Sequence, residues 1–226
     1  FEKLLVASVE NALQQTDITL TDKRTGFIIS TTKGNIALLE QQPEGAAPPL
    51  EDMQLFATAK KIAAYFNAAN VPLVVSSACI SGLAAVLTGK RLIESGRYDH
   101  VVVTGADMLT RFVLSGFQSF QAVSPAPCQP FDAHRSGVTL GEGAATVVLS
   151  RNRGNALFSL GAGAVSNDAN HISGPSRTGL ELAAVMRLAV EGSGLSPEDI
   201  GFVSAHGTAT LYNDEMEAKA LHHVGL

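Results

Sequence analysis

The sequence has no tryptophan and only two cysteines, Cys79 and Cys128, among 226 residues. Two isolated cysteines make neither a disulfide framework nor the paired spacing of a zinc site. Charge is also scarce: 16% of residues are charged, and 16 Lys and Arg against 21 Asp and Glu leave a net charge of −5. No basic stripe appears, which argues against nucleic acid as the main ligand. No apolar run approaches the ~20 residues that a membrane-spanning helix needs. The opening FEKLLVASVENALQQ reads as an amphipathic helix, so no secretory leader is expected. Together these absences point to a globular protein of a reducing cytoplasm, bound to neither nucleic acid nor membrane. Its length is enough for a substantial core.

Against that background one stretch carries chemistry. Val71 to Ser95 reads VPLVVSSACISGLAAVLTGKRLIES. Leu73–Val75 is a short β-branched run, and from Ile80 onward Leu83, Val86, Leu87 and Leu92 recur near helical spacing. Cys79 falls between strand and helix among small residues. A thiol there meets the positive end of a helix and its unpaired N–H groups, a setting in which cysteine pKa values fall from roughly 8.5 to about 3.5–7.5. The competing reading is a buried cysteine acting as a small hydrophobe.

Helical spacing extends over 2–14, 55–67, 180–190 and 213–222, and strands are expected at 25–30, 73–75, 100–105, 145–150, 156–166 and 200–204. The segment 107–140 has no long periodic run, holds several Pro and Gly, and is long enough without regular structure to be functional. Strands alternating with helices predict an α/β fold with a largely parallel sheet. In such sheets ligands bind beyond the carboxyl ends of the strands, where Cys79 and His206 both fall. A lone histidine is often structural, but a cysteine and a histidine at matched strand ends can serve as nucleophile and base.

Three motifs then carry a resemblance: SSACISG at 76–82, CQPFDAHRSGVTLGEGAATVVL at 128–149 and SAHGTATLYNDEMEAKAL at 204–221. In type and order they resemble the β-ketoacyl-[acyl carrier protein] synthases of the thiolase-like fold. The resemblance implies a layered αβαβα architecture with mixed, largely parallel sheets and a truncated second half. Residues 1–155 would form the N-terminal half and 156–226 the start of the C-terminal half. It implies a decarboxylative Claisen condensation, in fatty acid or polyketide and polyene synthesis, with no metal or organic cofactor. Cys79 matches the cysteine that accepts the acyl group, and His206 the first active-site histidine, which assists malonyl decarboxylation. Thr208, Thr210 and Phe117 would contact substrate, and Phe117 and Phe131 would line or support the acyl tunnel. Asp132, Arg135 and Glu142 match a structural loop over the site. Asp214 and Glu217 match structural acids, and Glu217 is expected to partner a lysine. The implied partners are acyl- and malonyl-loaded acyl carrier protein and a second ketosynthase-like subunit, as homodimer or heterodimer, with strand 100–105 near the interface.

The departures are specific. The family's second histidine, with its Lys-Ser-x-x-Gly-His-like segment, its late Gly-Phe-Gly turn and its opening strand are not in this sequence. Ala209 and Val138 stand where glycine and phenylalanine are common. The chain is therefore expected to be incomplete at both ends and, by itself, inactive in condensation, because losing one oxyanion donor already costs ~10²–10³ in rate. Two other readings stay open: a thiolase or 3-oxoacyl synthase acting on CoA esters, and a non-catalytic partner like the chain-length factors.

Overall fold

Strand β1 (Thr25–Ser30) is buried along its whole length. Its sequence TGFIIS has apolar side chains at consecutive positions, so both faces need a cover. Phe27 and Ile29 point into one core with Leu5, Val9, Ile62 and Val102, whereas Ile28 joins Ala85, Ile93, Val101 and Val103 in another. The first core is closed by α1 (Glu2–Leu13) and α3 (Leu55–Tyr65), which follows the short helix α2 (Leu50–Met53). The second is closed by α4 (Ser81–Glu94). The result is a sheet between two helical layers, which is what an uninterrupted apolar strand requires.

The structure is a computed structural model and describes residues 1–43, 45–47, 49–171 and 174–226. Residues 1–114 with 141–158 form one unit, and 115–140 with 159–226 form another. In the first unit the sheet order is β2 (Leu73–Val75), β1, β3 (His100–Asp107), β4 (Gly143–Ser150). β1 pairs in parallel with β2 and with β3, and β4 runs antiparallel to β3. The sheet is thus mixed and mainly parallel, as expected. β3 is bonded on both sides within this sheet, and β2 and β4 form its edges among the described residues.

Gly89 sets how closely α4 approaches the sheet. A Cβ there would stand 2.9 Å from Leu149 Cδ1 and 3.2 Å from Val101 Cγ1 and Val103 Cγ2. At the start of the strands, Arg24 Nε and Nη2 each donate at 2.9 Å to Asp99, and the guanidinium also reaches the carbonyls of Gly96 and Arg97.

In the second unit α6 (Leu180–Gly192) and α7 (Leu211–Val224) pack through Leu182, Ala183 and Met186 against Ala220 and Val224. The expected strands at 156–166 and 200–204 are not formed. β-Propensity becomes a strand only where the backbone finds a ladder partner. Here Leu157, Phe158 and Phe202 lie 94%, 78% and 86% exposed instead of packed in a sheet. Conversely, 107–140 contains one helix, α5 (Arg111–Ser119), which buries no residue. Among the described residues no helix is long and apolar enough to cross a membrane.

Candidate active site

Cys79 lies in the first unit, in the turn from β2 to α4. Ala78, before it, adopts a left-handed backbone with φ 46°, which costs a residue with a Cβ roughly 1–2 kcal/mol. A buried hydroxyl holds that turn. Ser81 Oγ accepts the Ser77 N–H at 2.8 Å and donates to the Ala78 carbonyl at 2.6 Å. The Ile80 and Ser81 N–H groups bond back to the Ser77 and Ala78 carbonyls. Cys79 itself is exposed, the opposite of a small core hydrophobe. It stands two residues ahead of the first residue of α4, at the helix end whose dipole favours an anion. Cys128 is exposed as well. In sequence Ser81 is only one residue of the SSACISG motif; its role as the clamp of the turn emerges from the geometry.

In the second unit His206 is exposed on the turn that leads into α7. Two carboxylates of α7 hold this turn. Glu217 Oε1 accepts the His206 N–H at 2.7 Å and Oε2 accepts the Gly207 N–H at 2.9 Å. Among the described residues no lysine is seen bonded to Glu217. Both oxygens bind backbone, and the side chain is buried at 5% exposure, where two aligned donors satisfy its charge. Asp214, 1% exposed, accepts the Ala209 N–H at 3.2 Å and the Phe131 N–H at 2.7 Å. The Thr208 and Thr210 hydroxyls bond each other at 2.8 Å.

The loop with Asp132 and Arg135 reaches the same place. Arg135 Nε lies 3.7 Å from Asp214 Oδ2, and its Nη groups donate to the carbonyls of Asp132 and Leu211 at 2.8 and 2.9 Å. Gly207 has φ 52°, and a Cβ on it would stand 3.1 Å from Pro130 Cβ and 3.5 Å from Phe131 Cε2. Only glycine fits such a position without strain. The sequence carried no signal for this contact between residues 76 and 77 positions apart. Asp132, Arg135, Thr208, Thr210, Asp214, Glu217 and His206 therefore assemble around one turn. Glu142 belongs to the first unit, where its carboxylate accepts the Leu109 N–H at 3.2 Å. Phe117 is half-buried on α5. On the exposed face of α7, the Lys219 ammonium bonded to Glu215 holds the latter's carboxyl below its ordinary range. Among the described residues no group of three or more His, Cys, Asp or Glu could hold a metal ion.

Comparison with known proteins covers the same ground. Residues 1–154 match the family model for the beta-ketoacyl synthase N-terminal domain, and residues 158–225 that for its C-terminal domain. Nodulation protein E of Rhizobium leguminosarum bv. trifolii is 39% identical over 157 residues, which are 66% of this chain and 39% of that protein. The 3-oxoacyl-[acyl-carrier-protein] synthase 2 of Vibrio cholerae is 31% identical over 204 residues, 83% of this chain and 49% of its own length. Among solved structures, the complex of a ketosynthase with its chain length factor from Xenorhabdus doucetiae matches 99% of this chain and 59% of its own chain, with 31% identity and a TM-score of 0.84. The ishigamide ketosynthase/chain length factor matches 100% and 60%, at 30% identity and a TM-score of 0.82. The chain thus spans between two-fifths and a half of these curated relatives.

Proposed function

The chain belongs to the beta-ketoacyl synthase family, and from that premise we propose that it carries the acyl-accepting nucleophile and the first histidine of a decarboxylative condensing enzyme. The Cys79 thiolate attacks the carbonyl carbon of an acyl thioester on acyl carrier protein. The tetrahedral intermediate collapses, expels the carrier's thiolate and leaves the acyl group on the Cys79 sulfur. A malonyl thioester then loses CO2, and the electron pair of the broken C–C bond becomes an enolate. His206 stabilises the developing charge on the thioester oxygen. The enolate carbon attacks the Cys79 thioester, a C–C bond forms, and Cys79 leaves as thiolate. Developing charge of this kind is best met by groups that need no rearrangement, and Glu217 supports that role by holding the backbone of His206 and Gly207.

In this reading Thr208, Thr210, Phe117 and Phe131 contact the thioester arm or the acyl chain. Asp132, Arg135, Glu142, Asp214 and Glu217 are structural. Residues 1–155 make the nucleophile-bearing half, and 156–226 begin the histidine-bearing half. The partners are acyl carrier protein and a ketosynthase-like second subunit in the cytoplasm, in fatty acid or polyketide synthesis.

The observation that carries the reading is the exposed Cys79 in a built left-handed turn at the start of α4. The test is intact-mass analysis of the full-length protein after mixing with acyl-loaded carrier protein. One acyl group on Cys79 is expected, lost in Cys79→Ala. In His206→Ala acylation persists, while condensation with malonyl carrier protein falls by about 10²-fold or more. No acyl adduct on Cys79 sinks the proposal.

A second reading, a non-catalytic chain-length-factor-like subunit, is favoured by the two solved relatives that come from ketosynthase–chain length factor complexes. Iodoacetamide separates the two. Both cysteines are exposed. Labelling of Cys79 well ahead of Cys128 at neutral pH is expected of a nucleophile, and equal or slower labelling favours the non-catalytic subunit.

A further inference from the structure

Phe131 and Ala209 both hold left-handed backbones, with φ 64° and 57°, a conformation unfavourable for any residue with a Cβ. They are 78 positions apart in sequence, yet one buried carboxylate serves both. Asp214 Oδ2 accepts the Phe131 N–H at 2.7 Å, and Oδ1 accepts the Ala209 N–H at 3.2 Å. Arg135 stands 3.7 Å from the same carboxylate as counter-charge, and the Gly137 N–H donates to the Ala209 carbonyl at 2.9 Å. Gly207 closes the seam, with Pro130 and Phe131 where its side chain would be.

We propose that Asp214 is a positioning residue that locks the 128–137 loop to the 206–210 turn, so that Phe131 and His206 are set together. The inference deepens the ketosynthase reading, because there it ties the seat of the acyl chain to the decarboxylating histidine. Its structural half stands without that reading. An asparagine in place of Asp214 offers one acceptor instead of two and no charge for Arg135. One of the two left-handed N–H groups then loses its acceptor, and an uncompensated buried donor is costly.

The test uses the full-length protein and amide hydrogen exchange in peptides covering 128–137 and 206–213. Asp214→Asn is expected to speed exchange in both peptides together, about tenfold or more. Gly207→Ala disturbs the same seam without removing a buried charge and is expected to do likewise. Adding Ala209→Gly to Asp214→Asn relieves the left-handed penalty and is expected to recover about threefold in the 206–213 peptide. A rise in only one peptide, no rise, or no recovery overturns the proposal. If Asp214→Asn fails to fold, Gly207→Ala decides on the same criterion. Where the wild type decarboxylates malonyl carrier protein, Asp214→Asn is expected to lower that kcat about tenfold while Cys79 acylation stays within about twofold; an unchanged kcat overturns the proposal. A wild type without decarboxylation defeats the ketosynthase reading but leaves the exchange result intact.

Discussion

Glu217 lies one helical turn beyond Asp214 on α7, so the two side chains share a face and meet four backbone N–H groups between them. Side chains that bind backbone in this way leave no charge pattern in the sequence. For Glu217 those groups are the N–H groups of its own turn. Replacing Glu217 by Gln removes one of two acceptors in a buried place. We expect Glu217→Gln to lower stability by about 1–3 kcal/mol, measured by urea unfolding. A change within about 0.5 kcal/mol, typical of surface positions, would show that the clamp contributes nothing. Ala209 belongs to the same scale. It stands where glycine is common and is fully buried at φ 57°, so its methyl carries a strain that only the fold reveals.

At the scale of elements, α4 and the strand starts are the informative pieces. α4 carries the Cys79 turn at its beginning and is seated on β3 and β4 through Gly89. A larger side chain there must displace Leu149, Val101 and Val103. Gly89→Val is expected to destabilise the chain by about 1–3 kcal/mol through overpacking, read as a lower Tm. An unchanged Tm would mean that α4 can shift freely on the sheet. At the other end of the strands, the hydrogen bonds of Arg24 hold the Asp99 carboxyl below its ordinary range. A carboxyl with a depressed folded pKa adds stability above its unfolded pKa and loses it as pH falls through the folded value. The stability gap between wild type and Asp99→Asn is therefore expected to be constant from about pH 5 to 7 and to close as pH falls below about 4. A gap that persists at low pH would mean that the pair is not the source. α5 is an element the sequence reading did not reveal; it is short, contains Gly116 and buries no residue.

For the whole molecule, the ordering of local stability follows from which backbones are bonded on both sides and buried. Hydrogen exchange is expected to be slowest at Phe27–Ile29 and Val101–Val103, in the paired and covered strands. It is expected to be fast across 156–166 and 201–204, where no strand forms. Slowest exchange in α6 and α7 would contradict this. The α/β class, the four strands of the sheet and the helices α1, α3, α4, α6 and α7 were legible in the sequence. Each of those segments has an apolar period or an unbroken apolar run, and its burial is itself what forms the element. The family was legible because its three motifs are local runs of residues. What only the tertiary structure decided was everything that depends on partners distant in sequence. It left 156–166 and 200–204 without a ladder, put β3 inside the sheet, and turned Glu217 and Asp214 onto backbone N–H groups. Periodicity records which face of a segment avoids water, but hydrogen bonds between segments depend on which backbone groups meet, and that is determined only when the chain has closed around them.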